Sequence, residues 1–451
     1  MHYTKIISLL LITALISCNK YLEKKPDKAL VVPATLKDIQ AILDNELKMN
    51  HSSPDLLEAL ADNYYVTTSN FEMQPLQDRQ NYVWDRDAMS LISWQTPYQG
   101  PIYYANVALD QLATITTDDQ TLKGTLTGSA LFYRGYAFYQ LAQLYCGPYS
   151  SSSLPNPGIP LRITSAIETP SIRSTVSQTY QQILSDLKTA IPLLPDSAEV
   201  LTRPSKTAAY AALARTYLSM RNYDSAFYYA DISLSRDSLL IDFNTLPSSS
   251  LPIKRFNIET IFYNLCEPYN GMPYGGTGYI DTVLYKSYQD NDLRKTVFFK
   301  ANTGTASGTY RFKGSFDSQY YPQLVFDGLT TGEMWLIRAE CAARKGRMAA
   351  ALKDLNTLLY HRWKNNGSWA SLSAETSEQA VMLILSERRK ELVYRGLRWT
   401  DLRRLNLEGA GITLTRVVGG LPYTLPPDDP RWVLLIPQEV IDHSEMPQNP
   451  R

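Results

Sequence analysis

The 451-residue sequence predicts an all-α, mainly helical protein, and three observations carry that expectation. Apolar residues recur every three or four positions through most of 94–235 and 333–405. Within those stretches two segments repeat one pattern of helix, short polar turn and helix, with alanines where the helices cross. Stretches of β character are short, as at Thr260 to Asn264, so strands enter only as a minor component.

The chain begins with Lys5 and an apolar run from Ile6 to Ile16, closed by Leu15-Ile16-Ser17-Cys18. A charged start, a short apolar core and a small residue at the cut describe a secretory signal. The run is too short to span a bilayer, which takes roughly 20 apolar residues as a helix. A cysteine directly after the small residue reads as a bacterial lipobox, so Cys18 is the expected lipid anchor. The expected division is a signal peptide at 1–17, a lipidated polar tether at 18–33 and one domain at 34–451.

The domain opens with Leu36, Ile39, Ile42, Leu43 and Leu47 at helical spacing behind Thr35 as N-cap. A loop-rich stretch from 50 to 93 follows. Helical spacing resumes from Trp94 to Leu112, and again in a long helix from about Gln120 to Tyr145 ended by Gly147-Pro148. Serines and prolines make 148–175 a loop. A helix at Val176 to Leu194 leads to a pair capped by Ser205, Lys206 to Met220 and Asp224 to Ser235. In that pair Leu213, Ala214, Tyr217, Tyr223, Ala226 and Ala230 hold the spacing of a tetratricopeptide hairpin. The pattern returns at Glu333 to Lys345 and Arg347 to Arg362, and a last helix spans Ser377 to Tyr394 before Trp399 to Leu405. Between the pairs lies an excursion, 236–332, rich in Gly, Ser, Tyr and Asn; loops of that length in a folded domain are usually functional.

Composition narrows the function. Lys+Arg and Asp+Glu balance at 44 each, so no overall field favours nucleic acid. Cys146, Cys266 and Cys341 are too scattered for a disulfide framework. The four histidines show no ligand spacing, so no metal or cofactor is expected. Gly275-Gly276-Thr277-Gly278 does not lead from a strand into a helix and is a loop, not a phosphate cradle. Glu387 and Glu391 share a helix face, as a glycosidase pair could, but Arg388, Arg389 and Lys390 stand between them and favour a charge-laced helix. No catalytic set emerges. Tyrosine is abundant at 31 residues, and Trp84, Trp94, Tyr98, Tyr269, Tyr274 and Tyr279 fall in or beside loops among Gly, Pro, Asn and Asp. Such rings offer flat apolar faces for sugar C–H groups, with polar neighbours for the hydroxyls, and they are the candidate ligand-binding residues.

Several motifs in order then resemble one family. Ser386-Glu387-Arg388-Arg389-Lys390-Glu391-Leu392 with Arg398-Trp399-Thr400-Asp401-Leu402-Arg403-Arg404 is similar to the signature of the SusD/RagB outer-membrane nutrient-binding lipoproteins. Leu435-Ile436-Pro437 to Gln448-Asn449-Pro450 looks like that family's closing motif. Tyr98 to Asn106, Phe132 to Gly147, Arg203-Pro204-Ser205-Lys206, Asp292-Leu293-Arg294 and Arg338-Ala339-Glu340 match further family segments. One departure is Arg395 where the family usually has Glu. The resemblance implies a non-enzymatic binder of oligosaccharides, or of oligopeptides in some members. It further implies a SusC-like TonB-dependent transporter as partner, with the lipoprotein as hinged lid on the outer face of the outer membrane. Asn19 to Lys25 is basic, unlike the acidic stretch associated with surface export, so outward display follows from the resemblance alone. A tetratricopeptide-type envelope scaffold and a hydrolase using Glu387 and Glu391 are the competing expectations.

Overall fold

A computed structural model describes residues 33–266, 271–274, 276–317 and 325–451; Cys18 and Tyr269 lie outside the described residues. About half of the chain is helical and the strands are few and short, so the protein is mainly α as expected.

Helix α1, Leu36–Leu43, starts at a capping box in which Thr35 and Asp38 satisfy each other's backbone N–H groups. A short helical turn at Glu46–Met49 follows α1, and further turns at Leu56–Ala59, Thr68–Glu72 and Leu76–Tyr82 fill part of the stretch expected to be loop. The single helix expected from Trp94 is two: α2, Leu91–Pro97, and α3, Tyr103–Thr114, joined by a wide turn at Tyr98–Ile102. Gly100 departs from helical geometry there, and a side chain does not fit, since a Cβ would meet Ser52 Oγ at 2.6 Å and the Lys48 carbonyl at 2.7 Å. Helix α4, Gln120–Tyr145, is buried on nearly every side from Leu126 onward, which makes it the central helix of the fold. Its polar groups find partners inside: Arg134 forms a two-pronged pair with Asp186 at 2.7 and 2.8 Å.

From α4 the helices line up side by side: α5, Val176–Ala190; α6, Lys206–Ser219; and α7, Tyr223–Arg236. The excursion then leaves and returns so that α8, Thr331–Arg344, packs directly on α7. Helix α9, Met348–Tyr360, and helix α10, Ser377–Glu391, both pack on α8. The two hairpins predicted from alanine spacing are α6–α7 and α8–α9; Ala208, Ala211, Ala214, Ala226 and Ala230 are fully buried between them and their neighbours. Helix α10 stops at Glu391 rather than Tyr394, because Tyr394 turns left-handed (φ 59°) before Gly396 and α11, Arg398–Asn406.

The strands form two-stranded antiparallel pairs. Strand β1, Tyr64–Tyr65, pairs with β6, Tyr279–Ile280; β2, Pro157–Pro160, pairs with β3, Arg173–Thr175. Within the excursion β4, Thr260–Phe262, pairs with β10, Leu329–Thr330, while β5, Leu265–Cys266, pairs with β9, Val325–Phe326. Strands β7, Phe299–Ala301, and β8, Tyr310–Phe312, make a further pair. A hairpin of β11, Leu414–Val418, and β12, Leu421–Leu425, turning at Gly419-Gly420, follows α11. A short helix α12, Gln438–Ser444, lies near the C-terminus.

Candidate ligand-binding cleft

Trp94 and Tyr98 come together in a cleft of about 260 Å³ between the α2–α3 turn and the segment that follows β2. Trp94 lies edge-on to Tyr145 (4.7 Å between centroids) and tilted against Tyr98 (5.3 Å). Only 4% of Trp94 is exposed, so it forms the floor, while half-buried Tyr98 forms the wall. The Tyr98 hydroxyl donates to the Pro160 carbonyl at 2.8 Å, and burial pushes its pKa well above the usual tyrosine range.

Loop 161–171 is held in place from below. Asn106 donates through Nδ2 to the carbonyls of Arg162 and Thr164, and Arg134 donates to its Oδ1. Asp110 accepts from both the backbone and the hydroxyl of Ser165. Arg162 folds over its own loop, donating to the carbonyls of Ala166 and Thr169 and to Ser171 Oγ. A wall this well tied costs little entropy on binding. The cleft opens into a wider recess of about 800 Å³ that adds Glu168, Glu439 and His443. Gln95, Gln99 and Arg162 supply polar edges, and Ile102, Ile167 and Val440 supply apolar ones. That mixture suits a ligand with one apolar face and many hydroxyls.

The other ring candidates go elsewhere. Trp84 is 2% exposed, and its indole N–H donates to the Leu60 carbonyl at 3.0 Å. Tyr274 is buried edge-on to Tyr394, and Tyr279 is buried against Tyr65. None of the three lines the Trp94–Tyr98 cleft. Sequence reasoning missed Gln95 and Gln99, which lie on α2 and its turn beside Trp94 and Tyr98, and Arg162 and Ile167, which reach the cleft only because β2 brings their loop against α2 and α3. Asn106 was visible, as the end of the Tyr98 to Asn106 motif, but its clamping role was not.

A family model described as "Starch-binding associating with outer membrane" matches residues 20–218, and one described as "SusD family" matches 329–415. The chain belongs to the SusD/RagB family. A curated SusD-like protein P2 of Formosa agariphila is 24% identical over 72% of this chain and 73% of its own length. Among solved structures, a SusD superfamily protein of Bacteroides vulgatus aligns with a TM-score of 0.76 at 22% identity, over 92% of this chain and 99% of its own. A structure titled a laminarin-binding SusD-like protein aligns at 0.66 and 18% identity, covering 92% and 97%.

In this SusD/RagB chain the signature residues are structural keystones. Arg294 reaches Asp292 at 2.7 Å, Glu387 at 2.5 Å and Glu391 at 3.3 Å. Arg362 bridges Glu259 at 2.7 Å and Glu391 at 2.9 Å, and Lys390 closes on Glu387. Burial alone would raise both signature carboxylates. The cations outweigh it: Arg294 and Lys390 hold Glu387 below the usual range, and Arg362 and Arg294 do so for Glu391. A glycosidase acid needs a raised pKa and access to substrate; these two carboxylates are lowered, buried and occupied by cations. On the same helix Arg388 pairs with Asp401, and Arg404 ties Asp401 to Glu340. Arg395, the family departure, lies over the rings of Phe316 (3.6 Å) and Phe326 (4.7 Å), and burial lowers its pKa to about 10. Among the described residues no group of His, Cys, Asp and Glu is arranged to hold a metal, and no helix is long and apolar enough to cross a membrane.

Proposed function

We propose that this protein is an outer-membrane lipoprotein that binds oligomeric glycans in the Trp94–Tyr98 cleft and passes them to a SusC-like TonB-dependent transporter, acting as its lid. The observation that carries this reading is the cleft itself: a clamped loop, an aromatic floor and wall, and amide and guanidinium groups at the edge. The laminarin-binding relative supports a glycan as ligand. A lipid on Cys18 would hold the binder beside its transporter, and such tethering raises effective concentration so that modest affinity suffices. Trp84, Tyr274 and Tyr279 are left out of the proposed site because none of them lines this cleft.

Binding of soluble neutral oligosaccharides to the purified mature protein tests the proposal. Tyr98→Ala and Gln99→Ala are expected to weaken binding about tenfold or more, the equivalent of about 1.4 kcal/mol. Unchanged affinity in both removes this cleft from consideration. Tighter binding of oligopeptides than of any glycan in the same array would shift the ligand class while leaving the fold and anchor untouched. Failure to co-purify a large β-barrel with the native lipoprotein would remove the transporter half of the proposal.

A further inference from the structure

We propose that the Trp94–Tyr98 cleft is one section of an open trench that binds an internal stretch of a neutral polysaccharide rather than a chain terminus. This rests on the glycan reading above and goes beyond it in the length and charge of the ligand. Three adjoining depressions make the trench: the cleft, the recess of about 800 Å³ beyond it, and a further hollow of about 340 Å³. Gln95, Arg162, Ser171 and Val440 border both the cleft and the recess, and Ser171 and Ser444 border both the recess and the hollow.

One wall is the chain that leaves β2 at Pro160 and comes back as β3; the other is α2 and then α12. Met446, 5% exposed, borders both the cleft and the hollow, placed there by the left-handed turn at Glu445 (φ 55°) that ends α12. Pro160 borders the cleft and Pro157 the hollow, and the strand rise of about 3.3 Å per residue sets them about 10 Å apart. The cleft then extends past Pro160 to Gln99, so the trench outruns a single sugar ring. Both mouths end on exposed residues, Gln99 at the cleft and Pro155, Pro157 and Pro447 at the hollow. A site that reads a terminus closes over it and commits polar groups to the terminal hydroxyls. Here a chain can run on into solvent in both directions.

The charge along the trench argues for a neutral chain. Two arginines line it, and the terminal nitrogens of both are engaged with the protein itself. Arg162 donates to the Ala166 and Thr169 carbonyls and to Ser171 Oγ. Arg173 donates to the carbonyls of Gly158, Pro447, Tyr145 and Pro157 and to Asn449 Oδ1. Glu168, Glu439 and Glu445 are exposed along the same walls. A uronate or sulfate group would sit among these carboxylates and lose hydration without gaining a free cation. A sugar hydroxyl, by contrast, can donate to them.

Apolar contacts are spread along the trench instead of gathered at one point. Trp94 and Tyr98 stand at one mouth, Val440 midway, and Ile172, 75% exposed, in the hollow. Gln95, Ser171 and His443 lie between them. Successive sugar rings can lay C–H faces on the apolar side chains and turn hydroxyl edges to the polar ones.

The test is calorimetric titration of the mature protein with malto-, laminari- and xylo-oligosaccharides, each as biose, octaose and an octaose capped by bulky groups at both ends. An oligogalacturonate octamer is the anionic probe. Ile172 and His443 are exposed, so Ile172→Asp and His443→Ala leave folding intact, checked by an unchanged thermal melt. The expected result is an octaose bound about tenfold tighter than its biose, with the capped octaose equal to the free one. Ile172→Asp and His443→Ala each weaken the octaose about fivefold and leave the biose unchanged, whereas Tyr98→Ala weakens both. Loss of octaose binding on capping overturns the internal-stretch reading and leaves the cleft standing. Equal affinity for biose and octaose, untouched by the Ile172 and His443 variants, confines the ligand to the cleft and overturns the trench. Tighter binding of the galacturonate octamer than of every neutral octaose overturns the neutral-chain assignment. Binding to none of the neutral chains, or binding indifferent to all three variants, overturns the glycan reading of this site and the trench with it.

Discussion

The helix pairs and the excursion between them close their cores with opposite kinds of side chain. Around α6, α7 and α8 the buried residues are largely alanine and leucine, which let helices approach closely and repeat at fixed spacing. The excursion core is built from large rings, including Tyr263, Tyr274, Tyr288, Phe298, Phe299, Phe312, Phe316 and Phe326, reaching in from short strands and loops. Short strands cannot bury much surface by themselves, so each ring must reach across to another segment. Phe312 stacks on Tyr394 at 4.5 Å and Tyr263 donates its hydroxyl to Asp317. The two regions are then joined by charge. Arg294 and Glu259 of the excursion meet Glu387, Glu391 and Arg362 of the helical part in one buried set. Dense local packing holds the scaffold, whereas the excursion depends on a few long-range anchors.

That contrast can be broken by mutation. Arg294→Ala leaves Asp292 and Glu387 without their main cation and is expected to cost about 3–5 kcal/mol, read as a drop in the urea midpoint. A loss under about 1 kcal/mol would mean the charged set is not what joins the regions. Next comes Glu58, buried and accepting from Asn63 and from the Gly396 backbone; burial pushes its pKa from 4.5 to about 7. The folded state therefore binds this proton more tightly than the unfolded chain, and its contribution to stability falls as pH rises from about 4.5 through 7. The span corresponds to about 3 kcal/mol. Glu58→Gln should match the wild type at pH about 5 and melt higher than it at pH about 8; equal melting at both values would refute the assignment.

Smaller effects belong to a helix cap and a partly exposed ion pair. Ser205 caps α6 by accepting from the Ala208 N–H, and Ser205→Ala is expected to cost about 1 kcal/mol by the same unfolding measurement. Arg203 pairs with Asp44 and Glu199 at a third-exposed site. Solvent and salt screen it, so Arg203→Ala should cost less than about 1 kcal/mol and less still in high salt. A larger cost at Arg203 than at Ser205 would mean that the tether-proximal helix α1 is held by charge rather than by its buried Ile39 and Leu43.

Helical spacing made α4 to α10 readable because a helix buries residues near one another in sequence. Caps at Thr35 and Ser205 and the stop after Tyr145 were readable for the same reason. The Trp94 helix was read as continuous, since periodicity does not register Gly100, whose constraint comes from Lys48 and Ser52 some fifty positions earlier. The β11–β12 hairpin was not read at all; its strands are only five residues each.

The candidate site was legible only in part. Trp94 and Tyr98 lie four positions apart on neighbouring turns, and local geometry alone brings them together. Trp84, Tyr274 and Tyr279 carry the same residue types in the same kind of context, yet none of them reaches this cleft. Whether an aromatic ring becomes floor, wall or core is decided by which distant segment covers it. The sequence by itself determined the helical scaffold, its alanine-lined pairs and the family signature, because those depend on local spacing. The tertiary structure alone decided that Glu387 and Glu391 are ion-paired keystones and that Arg162 and Asn106 shape a cleft. Those outcomes depend on partners tens to hundreds of residues away, and no periodicity records them.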